Sequence, residues 1–129
     1  MQTFGTRYNP AFSGEVRVPL RSLPPLPMGE RKIIARRAAM ELPQDAIVNL
    51  GTGAPEKIAN VAAEEGISDK MTLTVEAGSI AGVPMGGTQF GAAANSMAII
   101  PQTSSLTSTR AAAWMWPSWA WRRRHPTAT

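Results

Sequence analysis

The chain has 129 residues, a length that suits one domain, and it contains 11 Gly, 11 Pro and no Cys. The lack of Cys excludes a disulfide framework and a thiolate metal site, and it favours a reducing, cytoplasmic setting. The formal net charge of +4 suggests a nucleic-acid or anionic-membrane partner, but four of the 13 basic residues and none of the 9 acidic ones lie in residues 101–129. The rest of the chain therefore carries no formal net charge.

Targeting signals do not stand out in this sequence. Residues 1–12, MQTFGTRYNPAF, lack the charged and then apolar pattern of a secretory signal. No apolar run approaches the ~20 residues of a membrane span. We therefore expect a cytoplasmic protein with no membrane or nucleic-acid partner.

Residues 1–29 are rich in proline, and each proline fixes φ and removes a backbone donor. These prolines are Pro10, Pro19, Pro24, Pro25 and Pro27. The composition predicts an extended connector rather than a helix.

The segment Glu30–Leu42 predicts a helix that Pro43 ends. Its apolar residues recur at helical spacing: Ile34, Ala38 and Leu42, with Ile33, Ala35 and Ala39 widening the face. Basic residues fall mostly on the opposite face: Arg31, Lys32, Arg36 and Arg37. We interpret the basic cluster as a solvated face, with an anion site as the alternative.

A strand, a glycine turn, a helix and a second strand follow in that order. The predicted strands are Ala46–Leu50 and Leu73–Val75, and the helix runs from about Pro55 to Glu65 with Gly66 after its end. This order predicts a βαβ unit and hence an α/β fold. The turn Gly51–Pro55 is either a tight βα turn or an anion site at a helix N-terminus. As a dinucleotide fingerprint it fails, because position 56 is Glu rather than Gly.

The stretch Leu73 to Gly87, LTVEAGSIAGVPMGG, organises the first 100 residues. Its apolar run ends in a carboxylate, Glu76, and small residues follow at once. A Glu at the C-terminal end of a strand, facing a glycine loop, lies where an α/β fold places its chemistry. The pattern alone leaves two alternatives for Glu76, a solvated carboxylate or a catalytic one.

The run TLTVEAGSIAGVPMGGTQFGAAANSMAII resembles the glutamate segment of the family I CoA-transferases, in their acetate/propionate branch. The resemblance extends through ERKIIARRAAMEL and AIVNLGTGAPEKIANVAAEEGI, and YNPAFSGEVRVP is similar to the family's connector between its two halves. It implies a truncated three-layer α/β CoA-transferase fold. Residues 1–29 would be the connector and residues 30–101 part of the second-half domain, with the first half missing.

The resemblance also implies a chemistry. Glu76 would be the nucleophile that attacks an acyl-CoA thioester, giving first an acyl-glutamyl anhydride and then a glutamyl-CoA thioester. Acyl-CoA and a short-chain carboxylate would be the substrates, so that coenzyme A is not a cofactor and neither a cofactor nor a metal is expected. The full-length family implies a homo-oligomer.

Several small residues take implied roles around the nucleophile. Gly51 and Gly53 would line the cleft, and the loop after Glu76 would bind substrate or donate backbone N–H groups to an oxyanion. The loop residues concerned are Ala77, Gly78, Gly82, Gly86 and Gly87. The chain departs from the family pattern at Thr52, where an apolar residue is usual, at Ser79, where Pro is usual, and at Ala81, where Gly is usual. Ala81 is unfavourable if that position requires a positive φ.

Residues 102–129 do not continue the resemblance and contain all four Trp residues of the chain. Trp and Met each have a single codon, so Trp114-Met115-Trp116-Pro117 fixes a reading of Asp-Val-Ala in an alternative frame. We therefore interpret the tail as frameshifted and disordered, and we expect the chain to be inactive as an isolated fragment. The alternatives are a genuine Trp/Arg tail that binds membranes or nucleic acid, and a non-functional pseudogene product.

Overall fold

The computed structural model of the chain describes residues 1–111 and 115–117. Its α-helices are α1 (Pro10–Ser13), α2 (Glu30–Ala39), α3 (Glu56–Glu64) and α4 (Gln102–Ala111). Its strands are β1 (Ile47–Asn49), β2 (Thr72–Thr74), β3 (Ser79–Ile80), β4 (Val83–Pro84), β5 (Ala93–Ala94), β6 (Ala98–Ile99) and β7 (Met115–Pro117).

The main sheet has the strand order β6-β3-β2-β1-β7, and β4 pairs with β5 in a separate two-stranded sheet. Strands β1 and β2 are parallel, with Val48 opposite Leu73, and α3 forms the connection between them. Both of these residues are buried at the centre of the core. The predicted βαβ unit and the α/β fold are therefore confirmed. Strand β1 is two residues shorter than the sequence predicts, and β2 has the predicted length but begins one residue earlier.

The loop at the end of α3 follows the prediction at residue level. The helix ends at Glu64, and Gly66 lies just beyond it with a φ of 68°. Its N–H donates to the Ala63 carbonyl at 3.3 Å. Glycine reaches this left-handed conformation without the steric penalty of a Cβ, which is why it ends helices so often.

Helix α2 buries only part of the apolar face that the sequence predicts. Ala35 and Ala39 are buried, whereas Ile33 and Ile34 are 61% and 51% exposed. Small side chains allow α2 to pack closely on α3, whose own Ala62 is fully buried. The predicted face was therefore wrong for its two isoleucines and right for its alanines.

The end of α2 and its basic residues also differ from the prediction. The helix ends at Ala39 rather than Leu42, because the N–H groups of Glu41 and Leu42 bond three residues back and tighten the last turn. The basic cluster is not simply solvated. Lys32 pairs with Glu64 and Arg36 with Glu65, each at 2.5 Å, and Arg37 pairs with Glu41.

The connector is more structured than the sequence predicts. It contains α1 and a short 3-10 turn at Leu20–Ser22. Asn9 caps α1 by accepting from the Ala11 N–H at 2.9 Å, and Pro10 occupies the first helical position, where its fixed φ is favourable. Ala11 and Phe12 are buried in the core. The prediction of a wholly extended connector was wrong. Proline disrupts the interior of a helix but is favourable at the first helical position, which Pro10 occupies in α1.

Within the tail, the structure describes α4 and β7. Strand β7 lies parallel to β1, with Met115 opposite Ile47. The rest of the predicted disordered tail, residues 112–114 and 118–129, lies outside the described residues, and the frameshift stays a prediction. No helix in the described ranges is long and apolar enough to cross a membrane.

Candidate active site

The two parallel strands end side by side, and each continues into a turn at the same edge of the sheet. The last paired residues of β1 and β2 are Asn49 and Thr74, and the Leu50 N–H donates to the Thr74 carbonyl at 3.1 Å. The turn after β1 begins at Gly51, and the turn after β2 holds Glu76. Because parallel strands present their carboxyl ends together, these two turns are neighbours.

Glu76 lies at the tip of a tight turn that joins β2 to β3. The Gly78 N–H donates to the Val75 carbonyl at 2.9 Å, and the Val75 N–H donates to the Ser79 carbonyl at 3.1 Å. These bonds close the turn and leave Glu76 and Ala77 exposed at its outer end. A carboxylate held on a closed turn has a defined position and remains open to an incoming ligand.

Gly78 closes this turn in a way that no other residue could. Its φ is 116°, and a Cβ added there would lie 1.8 Å from the Ile100 carbonyl oxygen. Its N–H is engaged with Val75, whereas no partner for the Ala77 N–H is found in the part of the chain that the structure describes. Of these two predicted donors, Ala77 is therefore the one open to a ligand.

The departures from the family pattern at Ser79 and Ala81 have different consequences. The Ser79 hydroxyl is buried and lies 2.6 Å from the Ser96 hydroxyl, so the substitution is accommodated by a hydrogen bond. Ala81 takes a φ of 59°, in the left-handed region that glycine prefers. Its neighbour Gly82 has a φ of 75°, and a Cβ there would lie 2.2 Å from the Ala94 carbonyl oxygen.

The turn after β1 is open. Gly51 is partly exposed, and Thr52 and Gly53 are exposed. Gly53 has a φ of 87°, and a Cβ there would meet nothing within 4 Å. The turn leads directly into α3 through Pro55, so it combines accessible backbone with the N-terminal end of a helix.

A buried carboxylate, Glu56, links the start of α3 to the predicted glycine pair Gly86 and Gly87. Glu56 accepts from the Gly87 N–H at 3.3 Å and pairs with the Lys57 ammonium at 2.8 Å. In the sequence, Glu56 stands out only as the residue that breaks a dinucleotide fingerprint. Its place in the first turn of a helix is a common one for an acid, so the pattern gives no signal of burial.

The loop from Gly86 to Gly91 reaches from α3 to the Glu76 turn. At its far end Gly91 has a φ of 97°, and a Cβ added there would lie 3.7 Å from the Ala77 Cβ. The turn after β1 and the Glu76 turn are therefore neighbours. The loop with the glycine pair contacts the start of α3 through Gly86 and Gly87, and the Glu76 turn through Gly91.

The connector contacts the same loop. The Gly5 N–H donates to the Thr88 carbonyl at 3.0 Å, and the Gln89 side-chain amide donates to the Thr6 hydroxyl at 3.0 Å. The sequence does not predict these contacts, because the partners are more than 80 residues apart.

Within the described ranges, no group of three or more His, Asp or Glu side chains could hold a metal ion.

Comparison with known proteins gives sequence relatives but no matching family model. The chain is 45% identical over 103 residues to the caffeate CoA-transferase of Acetobacterium woodii, a match that covers 80% of this chain and 20% of that protein. It is 40% identical over 102 residues to the acetate CoA-transferase YdiF of Escherichia coli K12, covering 79% of this chain and 19% of the relative.

Two solved structures of the acyl-CoA transferase YdiF from Escherichia coli O157:H7 are similar in fold. The apoenzyme matches 83% of this chain and 19% of its own at 36% identity, with a TM-score of 0.65. A thioester complex with CoA matches 70% of this chain and 16% of its own at 34% identity, with a TM-score of 0.56. The chain thus spans about a fifth of the length of the relatives that it matches. Over four-fifths of its length, the chain is a homologue of one segment of the CoA-transferases.

Proposed function

We propose that this chain is the nucleophile-bearing segment of an acyl-CoA:carboxylate CoA-transferase, with Glu76 as the nucleophile. The observation that carries the proposal is the exposed Glu76 carboxylate at the tip of a closed turn, beside the turn at Gly51 and the loop from Gly86 to Gly91. The homologous proteins supply the reaction class. A short-chain acyl group, as the acetate CoA-transferase name suggests, is the substrate that we propose.

The reaction begins when a Glu76 oxygen attacks the thioester carbonyl carbon. The carbonyl oxygen becomes an oxyanion, to which we propose that the Ala77 N–H donates a charge-assisted hydrogen bond. The carbon–sulfur bond breaks, the CoA thiolate leaves, and an acyl-glutamyl anhydride remains. The thiolate then attacks the Glu76 carbonyl carbon, releasing the first carboxylate and leaving a glutamyl-CoA thioester. The acceptor carboxylate reverses both steps and departs as the new acyl-CoA.

The isolated chain is expected to give no useful turnover. It corresponds to about a fifth of its relatives, and β6 lies at the edge of its sheet with Ile99 57% exposed. We propose that the remainder of a CoA-transferase, including the missing first half, covers such surfaces and supplies most of the CoA site. Robust acetate-dependent CoA exchange by the purified chain would contradict this expectation.

A chimaera tests the role of Glu76 without requiring the fragment to work alone. Residues 2–100 of this chain would replace the aligned segment of the Escherichia coli acetate CoA-transferase YdiF, and CoA transfer from acetyl-CoA to propionate would be measured. We expect the chimaera to be active and Glu76→Gln to reduce kcat at least about a thousandfold, as for loss of a covalent nucleophile.

Glu65→Gln is the matched control, because Glu65 is an exposed glutamate at the far end of α3. It should leave kcat within about twofold, as expected of a surface change away from the site. An active chimaera in which Glu76→Gln retains its activity would refute the proposed nucleophile.

A further inference from the structure

Glu56 is a buried acid in a part of the molecule where the other glutamates are exposed. It is 6% exposed, and carboxylates are seldom buried unless they are paired. Its two partners are the Lys57 ammonium at 2.8 Å and the Gly87 N–H at 3.3 Å. Its position in the first turn of α3 further favours a negative charge, because the helix N-terminus carries a partial positive charge.

Gly86 leaves room for this arrangement. A Cβ added at Gly86 would lie 3.0 Å from the Glu56 carboxyl carbon and 3.1 Å from the Lys57 nitrogen. The ion pair therefore occupies the space that a side chain would fill. Successive helix residues do not normally face each other, and here the two side chains meet over a bare backbone. The loop and the ion pair are fitted to each other.

The remainder of the loop is held at two further points. The connector bonds Thr88 and Gln89 from one side, and Gly91 lies against Ala77 at the other end. A displacement of the loop at Gly86–Gly87 would thus be felt at the turn that carries Glu76. Glu56 itself is unsuited to be a nucleophile, because its carboxylate is enclosed and already bonded.

We propose that Glu56 is a positioning residue: it holds the Gly86–Gly87 backbone against the start of α3 and so sets the place of the Ala77–Glu76 turn. Glu56 is then the buried glutamate that positions the loop, and Glu76 is the exposed glutamate that reacts. The catalytic meaning of this inference rests on the proposed function, but the contact itself can be tested without substrate.

The experiment measures amide hydrogen exchange by NMR in the full chain, without ligand, for the wild type, Glu56→Ala and Glu56→Gln. In Glu56→Ala we expect the Gly87 amide to exchange about tenfold faster, because it loses a hydrogen bond to a charged acceptor. The Ala77 and Gly91 resonances should shift. The Leu50 amide, which bonds across the strand ends, should keep its exchange rate. Glu56→Gln retains an acceptor oxygen and should restore most of the Gly87 protection.

Several outcomes would overturn the inference. They are an unchanged Gly87 rate, a change confined to Gly87 with no shift at Ala77 or Gly91, an equal acceleration at Leu50, or no recovery in Glu56→Gln. If Glu56→Ala does not fold, Gly86→Ala takes its place, since its Cβ would push the carboxylate away and should raise the Gly87 rate similarly. These results are independent of Glu76 chemistry. A chimaera that stays active with Glu76→Gln would thus refute the proposed function and leave the contact standing.

Discussion

Ala81 shows how a single residue connects the sequence pattern to the structure. The resemblance marks it as a position where glycine is usual, and the structure gives it a φ of 59°. An L-residue in this region is strained, because its Cβ approaches the following carbonyl oxygen. The physical reason for the family's glycine is therefore visible in the backbone of a chain that lacks it.

Replacing Ala81 by Gly should stabilise the protein. Relief of the left-handed strain outweighs the extra entropy of glycine in the unfolded chain, so we expect the free energy of unfolding to rise by about 0.5 kcal/mol. Ala98→Gly is the control, because Ala98 is an exposed residue of β6 whose φ is not positive. That change should lower the unfolding free energy by about 0.5–1 kcal/mol. Denaturant titration measures both, and the same sign for the two variants would refute the strain at Ala81.

Gly78 and Gly53 test whether the Glu76 turn depends on close backbone contact. Both have a positive φ, but a Cβ at Gly78 would lie 1.8 Å from a carbonyl oxygen and one at Gly53 would meet nothing within 4 Å. We expect Gly78→Ala to destabilise by at least about 2 kcal/mol more than Gly53→Ala, since strain is common to both and overpacking is not. Equal losses in denaturant titration would argue against the closed turn.

The helix pair α2 and α3 shows what a pattern of apolar residues can and cannot specify. Helical spacing in Glu30–Leu42 predicts the helix itself, and the structure contains it. Which apolar stripe is buried depends on the partner surface. The alanines of α2 pack inward and its isoleucines remain outside. Hydrophobicity alone ranks Ile above Ala, so the sequence wrongly places Ile34 at the centre of the buried face.

Glu64 at the end of α3 forms an ion pair with Lys32 of α2, and this pair makes the stability of the protein depend on pH. Burial raises the pKa of Glu64. Hydrogen bonds from the Lys32 ammonium and the Leu26 N–H lower it, and so do the charges of Lys32 and Arg36. The lowering is larger, so the pKa lies below the ordinary 4.5. A lowered folded-state pKa contributes stability above pH 4.5, and this contribution is lost as the pH falls through the folded-state value.

Glu64→Gln should therefore lower the unfolding free energy by about 1 kcal/mol near pH 7 and flatten its fall below pH 4.5. Glu41→Gln is the matched control, because its ion pair with Arg37 is 65% and 67% exposed and such pairs contribute about 0.3–0.5 kcal/mol. Chemical denaturation at several pH values measures both. Identical pH profiles for the wild type and Glu64→Gln would contradict the assignment.

For the molecule as a whole, local patterns predict local structure and miss long-range contacts. The βαβ order and the place of Glu76 at a strand end follow from residues that are close in sequence. Three contacts join segments that are distant in sequence. They are the hydrogen bonds of Gly87 with Glu56 and of Gly5 with Thr88, and the contact between Gly91 and Ala77. No spacing rule encodes them. The same applies to the connector, which the prolines predict as extended and which instead packs Phe12 into the core.

Direct identification of the acylated residue is the measurement that tests the central claim. The chimaera would be incubated with acetyl-CoA and quenched with hydroxylamine, which converts an activated glutamyl group into a hydroxamate, and the modified peptide would be sequenced by mass spectrometry. We predict a single modified residue, Glu76, that depends on acetyl-CoA and is absent in Glu76→Gln. An active chimaera that carries the hydroxamate on another residue, or none at all, would contradict the proposal that Glu76 is the nucleophile.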